Sequence, residues 1–99
     1  MNRDTLRVIA RLKAKSGKSE ELRSLLMGLI TPTHQESGCI SYEMLQNRED
    51  PSEFTFVEEW TDPAALDSHF QTEHIQNALK RFPELLAEEL DLRRYTKVA

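Results

Sequence analysis

The stretch from Phe54 to His74 constrains the fold more than any other, because its periodicity changes twice in a short span. From Phe54 to Trp60 the period is two. Phe54, Phe56, Glu58 and Trp60 share one face and Thr55, Val57 and Glu59 the other, as in a strand of aromatic and β-branched residues. Asp62-Pro63 then ends the strand and opens a helix, with Asp62 as N-cap and Pro63 at the first helical position, where its missing N–H is not needed. On that helix Leu66, His69 and Phe70 fall at i, i+3 and i+4 and share a face. Thr72 is placed to cap a second helix that begins with Glu73 and His74. The result is a strand–turn–helix–helix corner that gathers two of the three histidines.

The remaining elements frame this corner. Leu6, Val8, Ala10, Leu12 and Ala14 alternate with Arg7, Ile9, Arg11 and Lys13, which predicts a first strand with one apolar face. After the turn Lys15–Lys18, Ser19 is the expected N-cap of a helix, and Glu20 and Glu21 complement its dipole. Leu22, Leu25, Leu26, Leu29 and Ile30 form its apolar stripe. Pro32 is expected to bend or interrupt this helix, with Gly38 closing it. Cys39 to Gln46 predicts a second strand with Ile40, Tyr42, Met44 and Gln46 on one face. The polar turn 47–52 returns the chain as a hairpin. Ile75, Ala78, Leu79, Phe82 and Leu86 predict a long helix kinked at Pro83, and Leu90 to Val98 predicts a last strand.

The order βαββαβ over a single domain, residues 1–99, predicts an α+β, ferredoxin-like fold with helices on one face of an antiparallel sheet. Several strands carry apolar residues on both sides, Ile9, Val57 and Leu45 against Val8, Phe56 and Met44. A sheet with one wet face alternates more cleanly, so a second copy is expected to cover the open face, giving a homodimer with sheet packed on sheet. A net charge of −4 leaves no basic surface for nucleic acid. One cysteine excludes an intrachain disulfide and a cysteine metal cluster and suits a reducing cytoplasm. No run reaches transmembrane length and Met1–Thr5 lacks a signal-peptide core, so a cytoplasmic chain with no membrane partner is expected.

Two motifs resemble the antibiotic biosynthesis monooxygenase family. Glu36-Ser-Gly38-Cys39-Ile-Ser-Tyr42-Glu43 resembles the family's approach to its second strand. Glu59-Trp60, Ala65-Leu66, His69, Thr72 and His74 resemble its strand-ending aromatic followed by spaced histidines and threonine. The resemblance covers almost the whole chain. It implies a dimeric α+β barrel with a pocket between sheet and helices. The activities it implies are cofactor-free oxidation of small quinols or phenols by O2, haem degradation, or processing of a small phosphorylated signalling carbonyl compound. Leu79, Ala10 and His69 stand where the haem-degrading branch has histidine, asparagine and tryptophan, which disfavours haem.

A cofactor-free oxygenase has to hold an electron-rich substrate, take a proton from it and exclude water. A histidine titrating near neutrality is the natural base. His69 on the inward helix face is the first candidate, and a packed core histidine is its alternative. His74 at a helix start is a candidate second polar contact, or a surface residue near a cap. His34, near a helix end, is a weaker candidate. Trp60, Tyr42 and Phe56 are candidate pocket walls that also fit plain core. Glu58, on the face of Phe56 and Trp60, is either paired with Arg7, Arg11 or Arg94 or carries a raised pKa. A phosphorylated substrate requires cations, for which Arg11 and Arg94 are the candidates. No metal is expected, because His69 and His74 are five residues apart and no third ligand is evident. A non-catalytic dimeric module that binds a metabolite is the remaining alternative.

Overall fold

The computed structural model describes residues 5–99; the expectation that the first residues carry no leader falls largely on Met1–Asp4, outside them. The elements are β1 (Leu6–Lys13), α1 (Ser19–Met27), α2 (Ile30–His34), β2 (Cys39–Gln46), β3 (Glu53–Trp60), α3 (Pro63–Phe70), α4 (Glu73–Leu85) and β4 (Asp91–Tyr95). The strands form one antiparallel sheet in the order β2-β3-β1-β4, the ferredoxin-like arrangement. β3 pairs along its whole length with β1, from Leu6 opposite Trp60 to Lys13 opposite Glu53. This register places Val8, Ala10 and Leu12 on the same side as Glu58, Phe56 and Phe54. The helices cover that side, where Leu22 and Leu26 of α1, Leu66 of α3 and Ile75 and Ala78 of α4 complete the core.

The sequence patterns hold for most elements, and the exceptions have local causes. Lys18, not Ser19, precedes α1, and no side chain caps it; Ser19 is its first residue. The first helix breaks at Gly28 and Leu29, upstream of Pro32. A proline ring clashes with the carbonyl four residues earlier, here Gly28, so the break falls where that clash would occur. Pro32 then sits in the first turn of α2, where no N–H is required. A bulge between Cys39 and Ser41 shifts β2, so that Cys39 faces Trp60 and Ile40 is about half exposed (49%). β4 is shorter than its alternation suggests and ends at Tyr95.

The open face is charged and paired. Arg7 meets Glu59 at 3.5 Å, Arg11 meets Glu53 at 2.5 Å and Asp91 at 3.7 Å, and Lys13 meets Asp50. Among these charges lie half-buried Ile9 and Val57, opposite each other in register, and the exposed Tyr95 and Leu45. No helix among the described residues is long and apolar enough to cross a membrane.

Candidate active site

The corner after β3 forms as its residues dictate. The Asp62 carboxylate accepts a hydrogen bond from the Ala65 amide at 2.8 Å, and Pro63 begins α3. Thr72 accepts from the Ile75 amide at the start of α4, and its hydroxyl donates to the His69 carbonyl at 2.7 Å. One threonine therefore fixes both the end of α3 and the start of α4. Gly38 brings a third segment to this corner. A Cβ on Gly38 would stand 2.3 Å from the Ala65 Cβ and 3.2 Å from the Thr61 hydroxyl, so a larger residue cannot fit without a shift. The Thr61 amide donates to the Gly38 carbonyl at 2.9 Å and holds the approach.

This approach carries Glu36 over the two histidines. Its Oε2 accepts from His69 Nδ1 at 2.8 Å and from His74 Nε2 at 2.7 Å. His69 is 2% exposed, with its ring 4.6 Å from Trp60, 5.4 Å from Phe70 and 5.6 Å from Tyr42 between centroids. Burial lowers its pKa, and the neighbouring Glu36 carboxylate opposes that effect in part. His69 is therefore neutral near pH 7. A proton on Nδ1, directed at Glu36, leaves the Nε2 lone pair as the basic site.

His69 lines a cavity of about 30 Å³ between sheet and helices. This is room for about one water molecule. Tyr42, Phe56 and Glu58 line it from the sheet, and Ala78, Leu79 and the half-buried Phe70 and Phe82 from the helices. Tyr42 stacks on Phe56 at 4.7 Å, and burial raises its phenol pKa far above the ordinary value, which keeps it neutral. Glu58 is 4% exposed and accepts from Trp60 Nε1 at 2.8 Å. Burial pushes its pKa up to about 7, against the lowering effect of the indole N–H.

The fold brings His69, Tyr42, Phe56 and Glu58 together on one cavity, with Trp60 behind His69 and Glu58. His74 lies outside the cavity lining and joins them through Glu36 and an edge contact with the His69 ring, 6.1 Å between centroids. His34 is exposed and hydrogen-bonds the Tyr42 carbonyl at 3.0 Å, outside the cavity. Arg11 lies on the opposite face of the sheet, because strand alternation that buries Ala10 and Leu12 turns Arg11 outward. None of the three arginines pairs with Glu58. Arg7 and Arg11 face the other way, and Arg94 stands 3.7 Å from Asp67. The indole replaces the expected ion pair. Cys39 is half-buried with its thiol pushed up to about 11 by burial, which suits packing and not nucleophilic chemistry.

Glu36 is the site residue that sequence reasoning missed. It lies 33 residues before His69 and supplies the third donor that spacing on one helix cannot show. Its only signal was its place in the Glu36-x-Gly38 motif.

Comparison with known proteins agrees with this architecture. The profile described as antibiotic biosynthesis monooxygenase matches residues 5–81. A Synechocystis protein, the uncharacterized sll1783, is 36% identical over 93% of this chain, which spans 63% of that protein's length. The Mycobacterium tuberculosis protein Rv0793 is 37% identical over 80% of this chain and 77% of its own. The crystal structure of PA3566 from Pseudomonas aeruginosa superposes with a TM-score of 0.93 at 31% identity, covering 100% of this chain and 99% of that one. By sequence, by fold and by the placing of its two motifs, this chain belongs to the antibiotic biosynthesis monooxygenase family.

Proposed function

We infer that the chain is a monooxygenase that oxidises a small quinol or related phenol with O2, the substrate itself serving as the reductant. The observation that carries this reading is a neutral, buried His69, oriented by Glu36 and lining an aromatic cavity. His69 Nε2 takes the phenolic proton, and the substrate anion passes an electron to O2. Recombination forms a carbon–oxygen bond on the ring. Cleavage of the O–O bond then releases water, which takes up the proton held by His69, and leaves a hydroxyquinone. Glu58, neutral below pH 7, donates to a substrate oxygen across the cavity. Phe70, Leu79 and Phe82 move outward to admit the ring, since the cavity as it stands is smaller than one.

The alternative of a phosphorylated substrate lacks its cations. No arginine or lysine is among the residues that line the cavity. We further infer that two copies pack through their open sheet faces, covering Ile9, Val57 and Tyr95; light scattering should then give twice the monomer mass. A monomer at micromolar concentration would exclude it.

The test is oxygen uptake with a panel of reduced quinols and dihydroxynaphthalenes. Uptake above autoxidation should fall by about 10²–10⁴-fold in His69→Ala, as for loss of a general base. Wild-type uptake no faster than autoxidation across the panel would reject the reading.

A further inference from the structure

Glu36, His69 and His74 come from three different segments, the turn after α2, the end of α3 and the start of α4, yet their donor atoms all lie within 4.8 Å of one another. We propose that this cluster binds a divalent transition-metal ion of borderline softness, with zinc as the reference ion. Two imidazoles and a carboxylate are a donor set of three-ligand zinc sites and of non-haem iron sites, both of which keep open positions.

The geometry needs little adjustment. A tetrahedral ion about 2.0–2.2 Å from each donor holds its ligands roughly 3.3–3.6 Å apart. The two histidine–carboxylate separations of 2.8 and 2.7 Å open by about half an ångström or a little more, and the two ring nitrogens already lie within 4.8 Å of each other. The scaffold is fixed on all sides. Gly38 against Ala65 seats Glu36, and Thr72 fixes the helix ends that carry both histidines. The half-exposed side is that of His74, whose side chain is 22% accessible, so an ion enters from there and does not pass through the core.

The site bears on catalysis through the tautomer of His69. In the metal-free chain its proton is on Nδ1 and Nε2 is the base. A metal ion on Nδ1 requires the proton on Nε2, and the base becomes a donor. Metal binding and oxidation are then mutually exclusive. This consequence rests on the oxygenase reading; the binding itself does not.

The experiment is calorimetric titration of the metal-stripped chain with zinc chloride, together with visible absorption of the cobalt(II) form. Saturable uptake is expected in the wild type, with His74→Ala and Glu36→Gln each weakening it by at least about tenfold. His34→Ala, a surface histidine outside the cluster, should bind as the wild type does. Cobalt bands should appear in the wild type and be displaced by zinc. No saturable uptake in the wild type, or equal affinity in His74→Ala, overturns the site. Oxygen uptake measured on the same samples separates the two proposals. Zinc uptake without oxidation in either form keeps the metal site and rejects the oxygenase. Oxidation without zinc uptake does the reverse.

Discussion

On the open face of the sheet Arg7, Arg11 and Lys13 each meet a carboxylate near solvent; on the covered face, among the described strand residues, a single carboxylate, Glu58, meets an indole N–H. The same strands, β1 and β3, supply both arrangements. Near water an ion pair adds little and costs little. Beneath the helices a lone acid is held against its preference for water, and its pKa of about 7 records that cost. The polar groups of the covered face therefore need a reason other than stability. Glu58 and His69, both lining the same cavity, are where the function is to be sought.

The sharpest way to break this contrast is to damage the covered side. Leu26→Ala, at a position with no exposed surface, should lower unfolding free energy by about 2–5 kcal/mol in urea titration. A loss below about 0.5 kcal/mol would mean that the stripe is not core. Glu58 gives the next largest effect, and it depends on pH. Its pKa is higher folded than unfolded, so its proton is held more tightly in the native state. Stability is full below the unfolded value of 4.5 and declines as pH rises through about 7. The total decline is about 3–4 kcal/mol. Glu58→Gln should flatten that part of the profile, and an unchanged slope would show that Glu58 is not the group responsible. Trp60→Phe removes the N–H that Glu58 accepts; a loss of about 1–3 kcal/mol at pH 7 is expected, with the decline displaced to higher pH. At the other end of the scale, Arg81→Ala, which removes exposed pairs with Glu21 and Glu84 on the helix surface, should leave the thermal midpoint within the scatter of replicate scans. A marked drop there would erase the distinction between solvated and covered charges.

The fold was legible because periods of two and 3.6 alternate along the chain with good punctuation at Asp62-Pro63 and Thr72. Local rules placed every strand and both long helices. They placed Ser19 one residue out of position, and they set the helix break at Pro32, when the clash acts four residues upstream at Gly28. Half of the site was legible too. His69 follows from its place beside Leu66 and Phe70 on one helix face, and Glu58 from its place between Phe56 and Trp60. Glu36 did not follow, because no periodicity links a turn residue to helices more than thirty positions away. Nor did the partner of Glu58. A strand pattern says which side an acid faces but not which donor will turn toward it.

The contact of Gly38 with Ala65 has a consequence for how such sequences can drift. The space between the two positions admits one methyl group and not two. Gly38 has no positive φ, so its backbone would accept alanine; the main obstacle is the Ala65 methyl, with the Thr61 hydroxyl a lesser one. The methyl is thus common property of the pair. Gly38→Ala should disturb the corner by about 1–3 kcal/mol. Adding Ala65→Gly should restore most of it, a coupling that thermal unfolding of the single and double variants would measure. Two distant positions that look independent in a sequence would then change only together.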